Sequence, residues 1–179
     1  MSEVVLRVCV PSDITEITAI YAHAVLHGTA SFELSAPDSE EMARRRDSLL
    51  SQGYPYIVAA SGGGILGYAY AGPYRPRPAY GHTVENSVYV RPDAQRRGIG
   101  LALLQRLLQE AEARGFRQMV AVIGDSGNQA SIRLHERVGF ALVGTLHAVG
   151  WKHGKWLDVV LMQRALGAGA TTGPRASPQ

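Results

Sequence analysis

Two arginines and two glycines lie close together in Gln95-Arg96-Arg97-Gly98-Ile99-Gly100. Glycines at this spacing let the chain turn tightly and bring its backbone against a ligand. The stretch Leu101 to Arg114 that follows reads as an amphipathic helix. The first N–H groups of a helix have no partner within it, and together with the helix dipole they favour an anion. Arg96 and Arg97 add positive charge at the same place. The chemistry is therefore phosphate binding, and the spacing narrows the compound. A nucleoside-triphosphate loop needs Gly, four residues, then Gly-Lys-Ser/Thr, and the chain has no such string. A dinucleotide fingerprint needs G-x-G-x-x-G directly after a strand. Gly98 and Gly100 meet its first two positions, but Leu103 takes the third and Arg91 to Arg97 intervene before Gly98. Only Asp125, after the next strand, favours that reading.

The turn needs a strand before it, and Val84 to Val90, ended by Pro92, supplies one. Upstream, Val4 to Val10 reads as a strand. Asp13 and Glu16 stand at capping-box spacing before a helix that Gly28 ends, and Asp38 and Glu41 repeat the spacing before a second helix that Gly53 stops. Tyr56 to Ala60 and Ile65 to Ala71 form a hairpin about Ser61-Gly62-Gly63-Gly64, where glycines accept positive φ. Three prolines make Gly72 to Pro78 irregular. Downstream, Met119 to Ile123 is apolar enough for a strand buried on both faces. A short helix follows from Gln129 to Val138, then strands near Ala141 to Val149 and Trp156 to Met162. The order is β-α-α-β-β-β-α-β-α-β-β.

The chain has 179 residues, 46% of them hydrophobic, enough for one domain with a sizeable core. We expect a single domain over 1–166 and a disordered tail over 167–179, whose residues show no periodicity. Neither a secretory signal nor a membrane span is expected. Cys9 is the only cysteine, which suits a reducing, cytoplasmic setting, and it reads as a buried small hydrophobe. The net charge of +3 gives no basic stripe, because Glu40, Glu41 and Asp47 flank Arg44-Arg45-Arg46. Nucleic-acid binding is the weakest reading. No His/Cys/Asp spacing suggests a metal.

The turn pattern Gln/Arg-x-x-Gly-x-Gly, after a strand and a short loop, resembles the pyrophosphate loop of the GCN5-related N-acetyltransferases (GNAT). The element order is similar to theirs as well. Further strings narrow the likeness: Ala71-Gly72-Pro73-Tyr74, Thr83 to Val90 (TVENSVYV), Val120 to Gly124, Ile132-Arg133-Leu134-His135-Glu136, and Gly150 to Val159 (GWKHGKWLDV). Together these resemble the phosphinothricin, methionine sulfone and methionine sulfoximine N-acetyltransferases over about residues 5 to 165. The resemblance implies an α/β fold with a mixed sheet of about six or seven strands and about four helices. It also implies a splay between the strands around the turn, acetyl-CoA as co-substrate, an amino-acid-like acceptor, a detoxifying role and a homodimer.

The resemblance assigns roles by residue. Glu85, on one face of its strand with Thr83, Ser87 and Tyr89, corresponds to the glutamate that deprotonates the amine; a strand carboxylate in a hydrogen-bonded pair is the alternative. Val88, Tyr89 and Val90 should supply a main-chain donor to the thioester carbonyl, through a bulge in the family's strand. Arg96, Arg97, Gly98, Ile99, Gly100 and Leu101 hold the pyrophosphate. Asn128 and Ser131 bond the pantetheine arm or cap a helix. His135 stands where many of the wider family have a tyrosine acid, and it reads as acid, base or packed helix residue. Arg75 and Arg77, in the Pro-rich loop with Pro76, offer forks for the acceptor's carboxylate or are solvated loop residues, and Phe32 and Tyr80 are apolar walls of the acceptor site or core and loop anchors. Two rival functions stay open: acetylation of peptide or protein amines, and non-catalytic acyl-CoA sensing.

Overall fold

The computed structural model describes residues 3–174. Its elements are β1 (Val5–Val8), α1 (Ile14–His27), α2 (Ser39–Ser51), β2 (Tyr56–Ser61), β3 (Gly64–Pro73), β4 (Thr83–Val90), α3 (Ile99–Ala113), β5 (Gln118–Gly124), α4 (Gln129–Arg137), β6 (Ala141–Lys152) and β7 (Lys155–Ala165). The seven strands form one mixed sheet in the order β1-β2-β3-β4-β5-β7-β6, flanked by four helices. The expected α/β architecture and element order hold. Among the described residues only β4 and β5 pair in parallel, with α3 as their crossover. No helix among the described residues is long and apolar enough to cross a membrane.

Apolar periodicity places the layers. On one face α3 packs Leu103, Leu104, Leu107 and Ala111 with Ala69, Val84, Met119 and Ala121. On the other, α1 and α2 pack Ile17, Tyr21, Val25 and Met42 with Tyr56, Val58 and Tyr68. One side chain of the apolar β5 run departs from the expected burial. Val122 is 36% exposed, because it faces the gap described below.

Capping is partly as expected. The Asp38 carboxylate accepts the Glu41 N–H at 2.8 Å and starts α2. Asp13 does not cap α1 as its spacing to Glu16 suggests. Its carboxylate accepts the Val10 N–H at 2.8 Å and takes two 2.7 Å bonds from the Arg7 guanidinium, closing a 3-10 turn over Pro11–Asp13. Glu16 then reaches the next hairpin and accepts the Ile65 N–H at 2.8 Å. In that hairpin the positive φ (114°) falls at Gly64.

Three segments differ from expectation. Gly72 and Pro73 belong to β3, paired with Glu85 and Val84. Proline is tolerated there because alternation turns its nitrogen away from β4, beyond the end of β2. β6 and β7 run longer and meet at His153-Gly154, both at positive φ (52° and 72°), as a tight hairpin requires. Residues 167–174 of the expected tail follow turns beside the sheet, where Arg117 donates to the Gly169 carbonyl at 2.8 Å and the Thr172 hydroxyl at 2.7 Å. Residues 175–179 lie outside the described residues.

The loop after α1 is fixed from outside the helix. Lys152 Nζ donates to the Ser31 carbonyl at 2.6 Å, and the Phe32 ring lies on the backbone of Gly124 and Gly150. A Cβ at Gly150 would stand 2.3 Å from that ring, whereas one at Gly144 in the same strand meets nothing within 4 Å. Gly150→Ala is therefore expected to cost about 1–3 kcal/mol through overpacking, lowering Tm by on the order of 5 °C. Gly144→Ala should leave Tm nearly unchanged. Thermal unfolding of the two variants checks the contact, and equal melting temperatures would refute it.

Candidate active site

β4 and β5 stay paired from Thr83↔Gln118 to Asn86↔Ala121 and then part, because β5 continues against β7 while β4 continues against β3. The fork opens a cleft of about 970 Å³. Val88, Tyr89 and Val90 line one side, and Val122, Ile123 and Gly124 the other. The Arg91 N–H bonds to the Leu66 carbonyl at 2.8 Å, which sets the alternation along β4. Odd-numbered N–H groups face β3, and those of Val88 and Val90 face the gap. The bulge implied by the resemblance is absent from this pairing. Register between β3 and β4 is unbroken from Gly67↔Val90 to Pro73↔Val84; the register shifts lie elsewhere, at Ala59/Ala60 between β2 and β3 and at Leu142/Gly144 and Leu146/Gly150 between β6 and β7. Regular alternation already delivers the donors.

The mouth of the cleft is the glycine turn. Arg96 (φ 58°) and Gly98 (φ 80°) are both left-handed, an alternation that gathers successive N–H groups into an anion-binding nest. Gly98 starts α3 with no side-chain cap, and Ala102 N–H to the Gly98 carbonyl, at 3.0 Å, closes its first turn. Arg96, Gly98, Ile99, Gly100 and Leu101 line the cleft together; Arg97 is exposed and does not, and Gln95 joins them. These free donors and the adjoining cation suit a pyrophosphate.

The α4 side carries a polar chain. The Asn128 side chain accepts the Ser131 N–H at 3.2 Å and caps α4, and both residues line the cleft. The Ser131 carbonyl stands 2.8 Å from His135 Nδ1, which must carry the proton because a carbonyl only accepts. His135 Nε2 then accepts from Asn86 Nδ2 at 2.8 Å. His135 is 4% exposed, and burial pushes its pKa below the ordinary histidine value, the Ser131 bond opposing. It is a neutral ring of fixed tautomer with both nitrogens engaged. Asn86 was not among the residues singled out from sequence. Its one signal is a polar side chain in the alternating positions Val84, Asn86, Val88 and Val90.

Glu85 stands on the opposite face of β4, so the structure does not bring Glu85 and His135 together. It pairs with Gly72 and Val120 just before the fork, half-buried and outside the cleft lining. Burial raises its carboxyl above the ordinary range, and Arg75 opposes that shift. The Arg75 guanidinium lies 5.1 Å from the Tyr74 ring centroid, and Tyr74 meets Tyr80 edge-on at 5.8 Å. Arg75, Pro76, Arg77 and Tyr80 are exposed on the Pro-rich loop. Thr29 and Ala30 line the cleft, while Phe32 clamps their loop to Gly124 and Gly150. Asp125, the residue favouring a dinucleotide, is committed to the Gly127 N–H at 3.0 Å and to Lys155 at 3.4 Å. No group of three or more His, Cys, Asp or Glu among the described residues could hold a metal.

A fork in a parallel strand pair with a phosphate nest at its mouth agrees with the comparison to known sequences. The Acetyltransferase (GNAT) family model matches residues 19–140. This chain belongs to that family. It is 52% identical to a phosphinothricin N-acetyltransferase of Alcaligenes faecalis over 94% of this chain and 86% of the relative. It is 44% identical to an L-methionine sulfoximine/L-methionine sulfone acetyltransferase of Pseudomonas aeruginosa over 85% of this chain and 88% of the relative. The crystal structure of a GNAT superfamily phosphinothricin acetyltransferase from Sinorhizobium meliloti in complex with AcCoA superposes with a TM-score of 0.94, at 46% identity, covering 98% of this chain and 95% of that one.

The nest gives a direct test. Alanine at Gly98 meets no neighbour but must adopt a φ of 80°, a conformation costing roughly 1–2 kcal/mol for a residue with a Cβ. Gly98→Ala is expected to raise the Kd for acetyl-CoA by on the order of tenfold, measured by calorimetry. An unchanged Kd would show that the nest does not hold the donor.

Proposed function

We propose that this protein transfers the acetyl group of acetyl-CoA to the α-amine of a small amino acid analogue, such as L-phosphinothricin, L-methionine sulfoximine or L-methionine sulfone. The observation that carries this reading is the β4–β5 fork, with a phosphate nest at its mouth and a carboxyl raised by burial beside its apex. The names of the similar proteins support the acceptor class.

Acetyl-CoA supplies the activated acetyl thioester. The nest at Arg96–Leu101 holds its pyrophosphate, and Asn128 and Ser131 hold the arm. The Val88 and Val90 N–H groups offer donors to the thioester carbonyl without rearrangement. Glu85 accepts a proton from the acceptor's ammonium, through water, leaving an amine free to attack; the sum of the reaction is an amide, a thiol and a released proton. Arg75, with Arg77, binds the acceptor carboxylate, and Phe32 and Tyr80 flank its side chain. His135 positions a neighbour in this scheme, because neither ring nitrogen is free. We place the enzyme in the cytoplasm, where the lone buried Cys9 stays reduced and acetylation would detoxify such analogues.

We also propose a homodimer. β6 is one of the sheet's two edge strands, and Leu142, Val143, Leu146, Val149 and Trp151 are all exposed along it. Light scattering after size exclusion should give twice 19.3 kDa; a monomer mass would refute this.

Thiol release from acetyl-CoA is expected with phosphinothricin, methionine sulfoximine or methionine sulfone and not with short peptides. Turnover on peptides alone would move the function to protein amines, and acetyl-CoA binding without any turnover would favour a sensor. Glu85→Gln should lower kcat by roughly 10²-fold or more with acetyl-CoA affinity kept. Because only the carboxylate accepts a proton, wild-type turnover should fall as pH drops through the raised Glu85 pKa, and the variant should lose that limb. The same limb in both proteins would exclude Glu85 as base.

A further inference from the structure

Asn86 occupies the apex of the fork. It is the last β4 residue paired with β5, it is 7% exposed, and it lines the cleft. Its amide nitrogen is spent on His135 Nε2, yet its carbonyl oxygen Oδ1 is buried without a hydrogen-bond partner among the described residues. A buried acceptor left unpaired is costly, so it points to a donor that arrives with a ligand. The orientation is not free. Turning the amide over would set Oδ1 against Nε2, and only a doubly protonated ring could then donate. Burial opposes that form, and the Ser131 carbonyl keeps the single ring proton on Nδ1. The chain Ser131 carbonyl–His135–Asn86 therefore fixes one unsatisfied carbonyl at the fork.

The donor class follows from the place. The nest at the mouth suits the phosphate end, and the gap lined by Val88 and Val90 leads from it to the apex. The fork opens through the sheet, since Asn86 and Val88 from one face and Ser87 and Tyr89 from the other all line the cleft. A group attacking at the apex thus meets Glu85's neighbourhood on one face and Asn86 on the other. Resting on the acetyl-transfer reading above, we propose that Asn86 is a binding residue for the acceptor, its Oδ1 taking a hydrogen bond from the acceptor amine. His135 acts as the positioning residue that holds Asn86 in that orientation.

Two pairs of variants test this, each checked first for a native melting curve. Asn86→Leu keeps the size and removes the acceptor atom. His135→Phe releases the lock, while His135→Gln puts a carbonyl oxygen near Nε2 to receive the Asn86 amide. Asn86→Leu and His135→Phe should each lower kcat/KM for the acceptor by on the order of 10–100-fold. They should also weaken acceptor binding to CoA-saturated enzyme in calorimetry, with the acetyl-CoA Kd within about twofold of wild type. His135→Gln should recover most of the loss, and the double variant Asn86→Leu/His135→Phe should be no worse than either alone. Unchanged acceptor affinity in Asn86→Leu would overturn the proposal, as would a loss confined to acetyl-CoA affinity, which would assign Oδ1 to the thioester arm. If Asn86→Leu does not fold, the His135 pair decides. A His135→Gln enzyme as impaired as His135→Phe would show that the ring itself exchanges protons. Failure of wild type on every amine would instead sink acetyl transfer.

Discussion

The structure depends on a contest for β-strand partners. β4 is held by β3 from Val84 to Val90 and β5 by β7 along its whole length, yet β4 and β5 share only four residue pairs. Two twisted half-sheets joined over so short a seam must separate beyond it. The separation leaves main-chain donors facing a gap instead of a neighbouring strand. In a continuous sheet the Val88 and Val90 N–H groups would be consumed by pairing. A broken ladder here becomes a polar surface, and the helix following β4 brings its uncapped start to the open end.

The fork also divides labour between the faces of β4. Side chains of even number meet α3 and α4, and those of odd number meet α1 and α2. Glu85 and Asn86 are adjacent in sequence and therefore face opposite layers. A raised carboxyl beside an arginine occupies one layer, and a neutral histidine–asparagine pair occupies the other. Separation keeps the two groups from perturbing one another, so each has the environment of its own face.

Much of this was legible in the chain. Glycines and capping pairs located the helices, apolar runs located the strands, and the Gln95–Gly100 spacing named the phosphate turn. The parity of Glu85 followed from strand alternation alone. What stayed hidden depends on long-range partners. Asp13 and Glu16 have capping spacing, but Arg7 and Ile65 compete for them and win. His135 reads as acid, base or packed helix residue until Ser131, one helical turn before it, and Asn86, 49 residues away, claim its nitrogens. Val122 reads as a buried strand residue, because no local signal says that its strand loses a neighbour. The bulge implied by resemblance is likewise a property of pairing, and the pairing here is regular.

One feature of β6 reaches further than its place at the rim. Gly150 supports the Phe32 ring, and Lys152, two residues on, grips the Ser31 carbonyl from a site 4% exposed. The loop they hold carries Thr29 and Ala30 into the cleft wall. The outermost strand and the reaction chamber are thus linked like a lever and its load. A force that bends or braces the rim is transmitted through two side chains to the chamber wall, some 120 residues earlier in the chain. Rigidity at the periphery becomes part of the shape of the centre.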